Sequence, residues 1–190
     1  MMDTRLQIIE TANNFLVERG FNAFSYKSIS EKVGVKTSSI HYYFPTKSDL
    51  GIAIIQSHRL LLEQWITKSR NKTALEKINS FFKYYKKLVA DQKVCIMGAL
   101  TSDINTLEEP LRQELLSFGE DIVEWVASIL NEGHNDRSFK QISNPKEKAK
   151  LILSNVMGLV QIARIEKDSK TFDRMVQVIL DEFILNNNSK

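Results

Sequence analysis

Residues 36–43 bring small hydroxyl, imidazole and phenol side chains together on one short stretch of the chain. Stability alone poorly explains a helix that exposes such groups. They suit a helix lying in the major groove of DNA, where small polar side chains meet base edges and phosphates. The candidates for base-edge or sugar-phosphate contacts are Lys36, Thr37, Ser38, Ser39, His41 and Tyr42. A solvated helix surface is the alternative interpretation.

Two short helices and a tight turn are expected to position these side chains. Ser25 is a suitable N-cap for the first helix, because its hydroxyl can accept from free N–H groups of the first turn. Gly34 can take the left-handed conformation that ends this helix. Thr37 and Ser38 are expected to cap the second helix, which Pro45 closes.

The second helix also needs an apolar anchor. Ile40 and Phe44 lie four residues apart, so they share one face and can attach the helix to a core. The other apolar side chains expected in this small core are Phe21, Phe24, Ile29 and Val33.

This arrangement closely resembles the N-terminal DNA-binding domain of the TetR (tetracycline repressor) family. The most specific family signature is a tyrosine followed by Phe, Lys and Leu at intervals of three. Here Phe44, Lys47 and Leu50 keep the interval of three, and the tyrosine is Tyr42 or its neighbour Tyr43, two or one residues before Phe44. The match is strong over residues 1–50, whereas the rest of the chain matches in length and helical layout.

The resemblance implies an all-α fold of about nine helices. Residues 1–50 would form a helix-turn-helix domain, and residues 51–190 a domain for effector binding and dimerisation. It also implies that Tyr26, Lys27, Tyr43 and Lys47 hold DNA phosphates, and that Lys27 can reach a base.

The function implied by the resemblance is that of a ligand-responsive transcriptional regulator. Such a repressor binds a palindromic operator in double-stranded DNA as a homodimer and releases it when a small molecule binds the C-terminal domain. TetR-like proteins dimerise through their last two helices. Here these helices are apolar over much of their surface, and Ser154 and Gly158 would permit close helix approach.

An effector site is implied by resemblance only. Eight residues fall on the helices that enclose the effector cavity in TetR-like proteins, although each, taken singly, is better explained as plain core than as a ligand contact. Together they suggest an apolar or aromatic effector. They are Phe82, Tyr85, Met97, Leu100, Phe118, Trp125, Met157 and Gln161.

The single cysteine, Cys95, has two interpretations. It lies near Lys93 and just before an expected helix, and both features favour the thiolate. The sequence C-I-M-G-A-L resembles a stretch found in one TetR subgroup, and a few family members sense electrophiles or oxidants through cysteine. A redox sensor is therefore one interpretation, and a small buried hydrophobic side chain is the other.

Composition narrows the remaining classes. Only 7 Gly and 3 Pro in 190 residues favour an all-helical chain. One cysteine, no secretory signal and no apolar run of about 20 residues make the cytoplasm the default compartment and indicate no membrane partner. The three histidines, His41, His58 and His134, lack metal-ligand spacing. Catalytic and cofactor motifs are absent, so neither an enzyme nor a cofactor is predicted.

Net charge keeps a second functional class open. Residues 1–50 contain six basic and five acidic side chains, so DNA affinity cannot rest on bulk charge and would need a few placed contacts. The alternative is a helical small-molecule or protein-binding module without specific DNA binding.

Hydrophobic periodicity predicts further helices along the chain, with Leu61 and Trp65 facing inward on the fourth and Leu75 on the fifth. A polar loop is expected at 133–144. The predicted helices outside the helix-turn-helix are 4–19, 47–69, 73–91, 93–105, 107–131, 145–167 and 172–185.

Overall fold

The computed structural model describes residues 3–185 of the chain. Within that range it contains nine α-helices, which confirms the all-α prediction. Two 3-10 turns occur at Phe21–Ala23 and Ile104–Thr106. The helices are α1 (Thr4–Arg19), α2 (Tyr26–Val33), α3 (Thr37–Tyr43), α4 (Lys47–Lys68), α5 (Ala74–Ala90), α6 (Ile96–Ser102), α7 (Glu109–Asn135), α8 (Pro145–Glu166) and α9 (Ser169–Asp181).

Local capping chemistry explains where several helices begin. Thr73 accepts from the backbone N–H of Glu76, whose carboxylate accepts from the backbone N–H of Thr73, so a capping box starts α5. Asn144 accepts from the N–H of Glu147 and caps α8, whose first residue is a proline. These starts agree with the sequence predictions.

The first compact unit comprises the chain up to Glu63 together with Cys95–Gly119. In this unit α1 packs on α2, α3 and α6. Fully buried aliphatic side chains, including Ile8, Leu16 and Ile29, fill its interior. The functional boundary predicted after residue 50 falls within this unit, because α6 and the start of α7 pack with the N-terminal helices.

The second compact unit comprises Gln64–Val94 and the chain from Glu120 onward. Here α5 packs on α8 and α9, which also pack on each other. Both tryptophans of the chain lie in this unit, with the ring centroids of Trp65 and Trp125 4.7 Å apart. Lys77, whose side chain is 9% exposed, forms an ion pair with Glu132.

The predicted boundaries of three helices were wrong. Helix α7 starts two residues later than predicted and extends to Asn135, so the polar loop is shorter than 133–144. Helix α9 starts earlier, because Asp168 caps it by accepting from the N–H of Lys170. It ends at Asp181, and Ile184 instead forms an isolated antiparallel bridge with Phe139. Helix α6 is shorter than the predicted 93–105.

Two predicted core positions were also wrong. Leu61 is 58% exposed and its neighbour Leu62 is buried, because the inward face of α4 continues at a spacing of four from Ile54. Leu75 is 37% exposed, whereas Ala74 is buried.

Gly133 is the position of the second unit that we expect to be least tolerant of a larger side chain. It lies inside α7, and a Cβ atom there would lie far inside van der Waals contact of the Phe139 ring. Phe139 is buried and packs edge-on against Phe183, with ring centroids 5.1 Å apart. We expect Gly133→Ala to lower the free energy of unfolding by about 1–3 kcal/mol through overpacking.

Urea unfolding followed by far-UV circular dichroism measures this effect. Asn131→Ala, at an exposed position of the same helical turn, is the matched control and should not lower stability. Equal stability of Gly133→Ala and the wild type would show that the Phe139 ring has another place to pack.

Candidate nucleic-acid interface

The turn between α2 and α3 is fixed by backbone geometry. A capping box starts α2, because Ser25 accepts from the N–H of Ser28 and the Ser28 hydroxyl accepts from the N–H of Ser25. Gly34 ends the helix with a φ of 79°, in the left-handed region that favours glycine, and its N–H donates to the carbonyl of Ser30. The Ser25 and Gly34 predictions are confirmed.

Helix α3 begins one residue earlier than its predicted caps allow. Lys36 occupies the N-cap position and makes no side-chain cap hydrogen bond. Thr37 and Ser38 therefore lie inside the first turn, and the prediction that they cap the helix was wrong. The Thr37 hydroxyl donates instead to the Ser30 hydroxyl of α2, 3.3 Å away.

Burial separates the two faces of α3. Ile40 and Phe44 are 0% and 2% exposed, as the anchor prediction requires. Tyr42 is 82% exposed, and Ser38 and His41 are also exposed. The candidate contact surface is thus the solvent-facing side of a helix whose opposite side is held in the core.

The remaining predicted contact residues differ in exposure. Lys27, near the start of α2, and Lys36, the N-cap of α3, are exposed, and Tyr43 is 36% exposed. Thr37 and Ser39 are half-buried. The contact surface therefore consists chiefly of side chains at the start of α2 and along α3.

Aromatic packing limits the freedom of the α3 side chains. The His41 ring packs edge-on against Tyr26 with centroids 4.7 Å apart, and its Nδ1 lies 3.3 Å from the carbonyl oxygen of Pro45. Tyr42 packs edge-on against Tyr43 at 5.3 Å. Side chains ordered before binding lose less conformational entropy when they meet a partner.

Tyr26 has a different role from the phosphate contact that we expected. It is buried, and its hydroxyl lies 2.8 Å from the carbonyl oxygen of Phe44 and 2.5 Å from that of Thr46. Burial, and then the negative charge of Asp49, raises the pKa of Tyr26 to about 12. The hydroxyl therefore joins α2 to the end of α3, and the structure corrects our prediction for this residue.

Lys47 is also engaged within the fold. Its Nζ donates to the carbonyl oxygens of Phe21 and Phe24, each 2.6 Å away, and lies over both of their rings. Burial lowers the pKa of Lys47, and the negative charge of Asp103 opposes that shift. Since an ammonium group has three N–H donors, these two hydrogen bonds do not use all of them. Sequence reasoning missed Asp103, because no local pattern links it to residues about 80 positions earlier.

Cys95 occupies a position that disfavours reactivity. Its side chain is buried, and Sγ accepts from the N–H of Gly98, 3.3 Å away, as the N-cap of α6. Burial raises the pKa of the thiol, and hydrogen bonds from backbone N–H groups only partly oppose this shift. The geometry supports the interpretation as a small buried side chain, since the thiolate is the reactive form.

The predicted effector residues are divided between the two units. Five of the eight are buried and the two methionines and the glutamine are half-buried. Met97, Leu100 and Phe118 belong to the first unit. Phe82, Tyr85, Trp125, Met157 and Gln161 belong to the second.

The second unit contains an aromatic cluster that includes residues not predicted to contact an effector. Phe81 packs on Tyr85 and Trp125 with centroids 5.0 and 6.1 Å away, and Trp65 packs on Tyr84 at 5.9 Å. The spacing of four between Phe81 and Tyr85 was a usable signal in the sequence.

Two kinds of feature are absent from residues 3–185. No group of three or more His, Cys, Asp or Glu side chains in this part of the chain is arranged to hold a metal ion. None of its helices is long and apolar enough to cross a membrane.

Comparison with known proteins gives two family matches. Residues 8–54 match the model for bacterial regulatory proteins of the tetR family, and residues 74–179 match the model for the tetracyclin repressor-like C-terminal domain. The first match covers all of α2 and α3, and the second covers most of the chain from α5 to α9.

Solved structures and a curated relative agree with these matches. A TetR transcriptional regulator from Legionella pneumophila is 29% identical, with a TM-score of 0.88 over 97% of this chain and 99% of its own. A TetR-family regulator from Agrobacterium tumefaciens is 25% identical, with a TM-score of 0.89 over 96% and 98%. The HTH-type transcriptional repressor DhaR of Mycobacterium sp. (strain GP1) is 19% identical, covering 95% of this chain and 92% of DhaR.

The structural role of Tyr26 can be tested by removing its hydroxyl. We expect Tyr26→Phe to lower the free energy of unfolding by about 1–2 kcal/mol at neutral pH, because two carbonyl groups lose their partner. The folded-state pKa is raised from 10.0 to about 12, so the hydroxyl stabilises fully below pH 10. That stabilisation is lost as the pH rises through 12, and the difference from wild type should then shrink.

Denaturant unfolding at pH 7 and at several pH values between 10 and 12 measures both effects. Tyr42→Phe is the matched control, because Tyr42 is 82% exposed and its hydroxyl has no buried role. Equal stability losses in the two variants would contradict the assignment.

Proposed function

Because this chain belongs to the TetR family of bacterial regulatory proteins, we propose that it is a homodimeric repressor of transcription. It holds a palindromic operator through α3 and releases it when a small molecule binds the C-terminal domain. The observation that supports this function best is the division of α3 into a buried anchor and an exposed polar face. Ile40 and Phe44 hold the helix, and Ser38, His41 and Tyr42 face solvent.

The exposed side chains suit two kinds of DNA contact. Ser38, His41 and Tyr42 offer hydroxyl and imidazole groups to base edges in the major groove. Lys27, near the start of α2, and Lys36, the N-cap of α3, are exposed and suit phosphates. Phosphate contacts position the helix without reading the sequence. Thr37, Ser39, Tyr43 and the third N–H of Lys47 complete the proposed surface.

Dimerisation is supported by an apolar face on the last two helices. Leu151, Ile162 and Ile165 of α8 are 59%, 45% and 82% exposed, and Met175 and Val178 of α9 are 42% and 55% exposed. An exposed apolar face of this kind on a soluble chain marks an interaction site.

A second copy of the chain fits this face. Gly158 lies in the same stretch of α8, and a Cβ atom there would have no neighbour within 4 Å, which leaves space for a partner helix. A two-fold axis through this face would present two α3 helices to half-sites roughly 34 Å apart.

An effector is proposed for the C-terminal domain. The aromatic cluster of the second unit supports an apolar or aromatic molecule, since such sites are lined mainly by apolar and aromatic side chains. Trp65 and Trp125, the two tryptophans of the chain, both belong to this cluster. Tryptophan fluorescence, excited selectively, therefore reports changes at this cluster.

DNA binding by α3 is tested with purified protein on genomic fragments, including the region upstream of its own gene. We expect the wild type to protect a palindrome. His41→Ala should bind it about tenfold or more weakly and discriminate less between bases, with an unchanged dependence on salt. Lys36→Ala should weaken binding to all sequences and reduce the salt slope by about one.

Footprinting and fluorescence anisotropy at several salt concentrations measure these effects. Lys68→Ala removes the same charge at an exposed position at the end of α4 and is the matched control. If the wild type protects no site while remaining dimeric, the chain is a helical binding module rather than a repressor.

The proposed dimer interface is tested by introducing a charge. We expect the wild type to sediment at twice the chain mass of 21.9 kDa. Ile165→Glu should raise the dissociation constant of the dimer at least about tenfold, because dimerisation would bury an unpaired carboxylate. Leu61→Glu, at a 58% exposed position of α4, is the control and should remain dimeric. A dimeric Ile165→Glu variant would place the interface elsewhere.

A further inference from the structure

Asp103, the residue after α6, makes an unusual set of contacts with a segment about 80 residues earlier in the chain. Its Oδ2 accepts from the backbone N–H of Phe21 at 2.7 Å and from that of Asn22 at 3.2 Å. Its Oδ1 accepts from Nδ2 of Asn22 at 3.0 Å. The same Nδ2 donates to the Thr106 hydroxyl at 2.8 Å.

This carboxylate serves as the cap of the Phe21–Ala23 turn. The first N–H groups of a helical turn have no partner within the turn, and no side chain of the turn's own N-cap residue supplies one. The N-cap residue is Gly20, with a φ of 95°, and a Cβ atom there would lie 3.3 Å from Oδ2 of Asp103. A carboxylate that accepts from backbone N–H groups forms charge-assisted hydrogen bonds, which are stronger than neutral ones.

The other side of the same turn is connected to the end of α3. Lys47, the first residue of α4, donates to the carbonyl oxygens of Phe21 and Phe24. Immediately before it, the carbonyl oxygens of Phe44 and Thr46 meet the Tyr26 hydroxyl. A continuous set of polar contacts therefore runs from Asp103 through the Phe21–Phe24 backbone to the end of α3.

We propose that Asp103 is a positioning residue for DNA binding. It acts through the backbone of Phe21 and Asn22, and thus fixes how α3 is presented, without contacting DNA itself. This inference rests on the proposed function. It predicts that loss of the Asp103 carboxylate lowers operator affinity while leaving every phosphate contact in place.

The test compares Asp103→Asn with the wild type on the operator fragment that the wild type protects. We expect affinity to fall about tenfold or more, because asparagine removes the charge and presents an N–H donor to groups that are themselves donors. The slope of affinity against salt should not change, since no phosphate contact is lost. Hydrogen exchange at the amides of Phe21 and Asn22 should become at least about tenfold faster.

Two further variants keep the result decisive. Glu108→Gln removes the same charge from an exposed side chain nearby, and its affinity should stay within about twofold of wild type. The contacts of Asp103 and Thr106 with Phe21 and Asn22 form a junction between the two segments. Asn22→Ala removes only the side-chain bonds of an exposed residue, so it tests this junction even if Asp103→Asn does not fold. We expect its affinity loss to be about two- to fivefold, and not additive with that of Asp103→Asn.

Three results would overturn the proposal. The first is wild-type operator affinity in Asp103→Asn together with faster amide exchange, which would make the junction a stabilising contact only. The second is an equal change in Glu108→Gln, which would assign the effect to charge at a distance. The third is a changed salt slope, which would indicate lost DNA contacts. Absence of DNA binding by the wild type itself would instead show that the proposed function has failed.

Discussion

A helix of seven residues cannot hold its shape through its own hydrogen bonds, because nucleation costs more than so few bonds return. Helix α3 therefore depends on the burial of Ile40 and Phe44, which leave 0% and 2% of their surface exposed. Fully burying two such side chains contributes about 1.5–3 kcal/mol each. With the helix held on this face, the core does not depend on the other face, which polar and aromatic side chains can therefore occupy.

The corners around α3 are held by polar groups rather than by further apolar contacts. Irregular connections leave carbonyl groups that need partners when they are buried. Tyr26 and Lys47 supply those partners on one side, and Asp103 caps backbone N–H groups on the other. Two side chains of types suited to phosphate contact thus stabilise the fold. With only a small excess of positive charge in residues 1–50, the DNA recognition that we propose would depend on a few exposed groups in fixed positions.

The second unit distributes its apolar residues differently. Helix α8 buries Ile152, Val156 and Val160 against its neighbours and leaves Ile162 and Ile165 in solvent. The sequence of α8 is apolar on both faces, so its pattern is compatible with core and with a dimer interface alike. Packing within the unit shows which face of α8 belongs to the core. The face that no neighbour covers remains available to a second copy of the chain.

The sequence alone determined the features that arise from local interactions. Helical periodicity, the cap at Ser25, the turn at Gly34 and the spacing of Ile40 and Phe44 specified the all-α fold and the helix-turn-helix, because these signals act within a few residues. Tertiary structure decided what depends on distant neighbours. The internal hydrogen bonds of Tyr26 and Lys47 and the junction at Asp103 join segments that are 18 or more residues apart. The burial of Cys95 depends on neighbours outside its own element. A side chain's type limits the partners it can take, but only the folded chain brings a particular partner within hydrogen-bond distance.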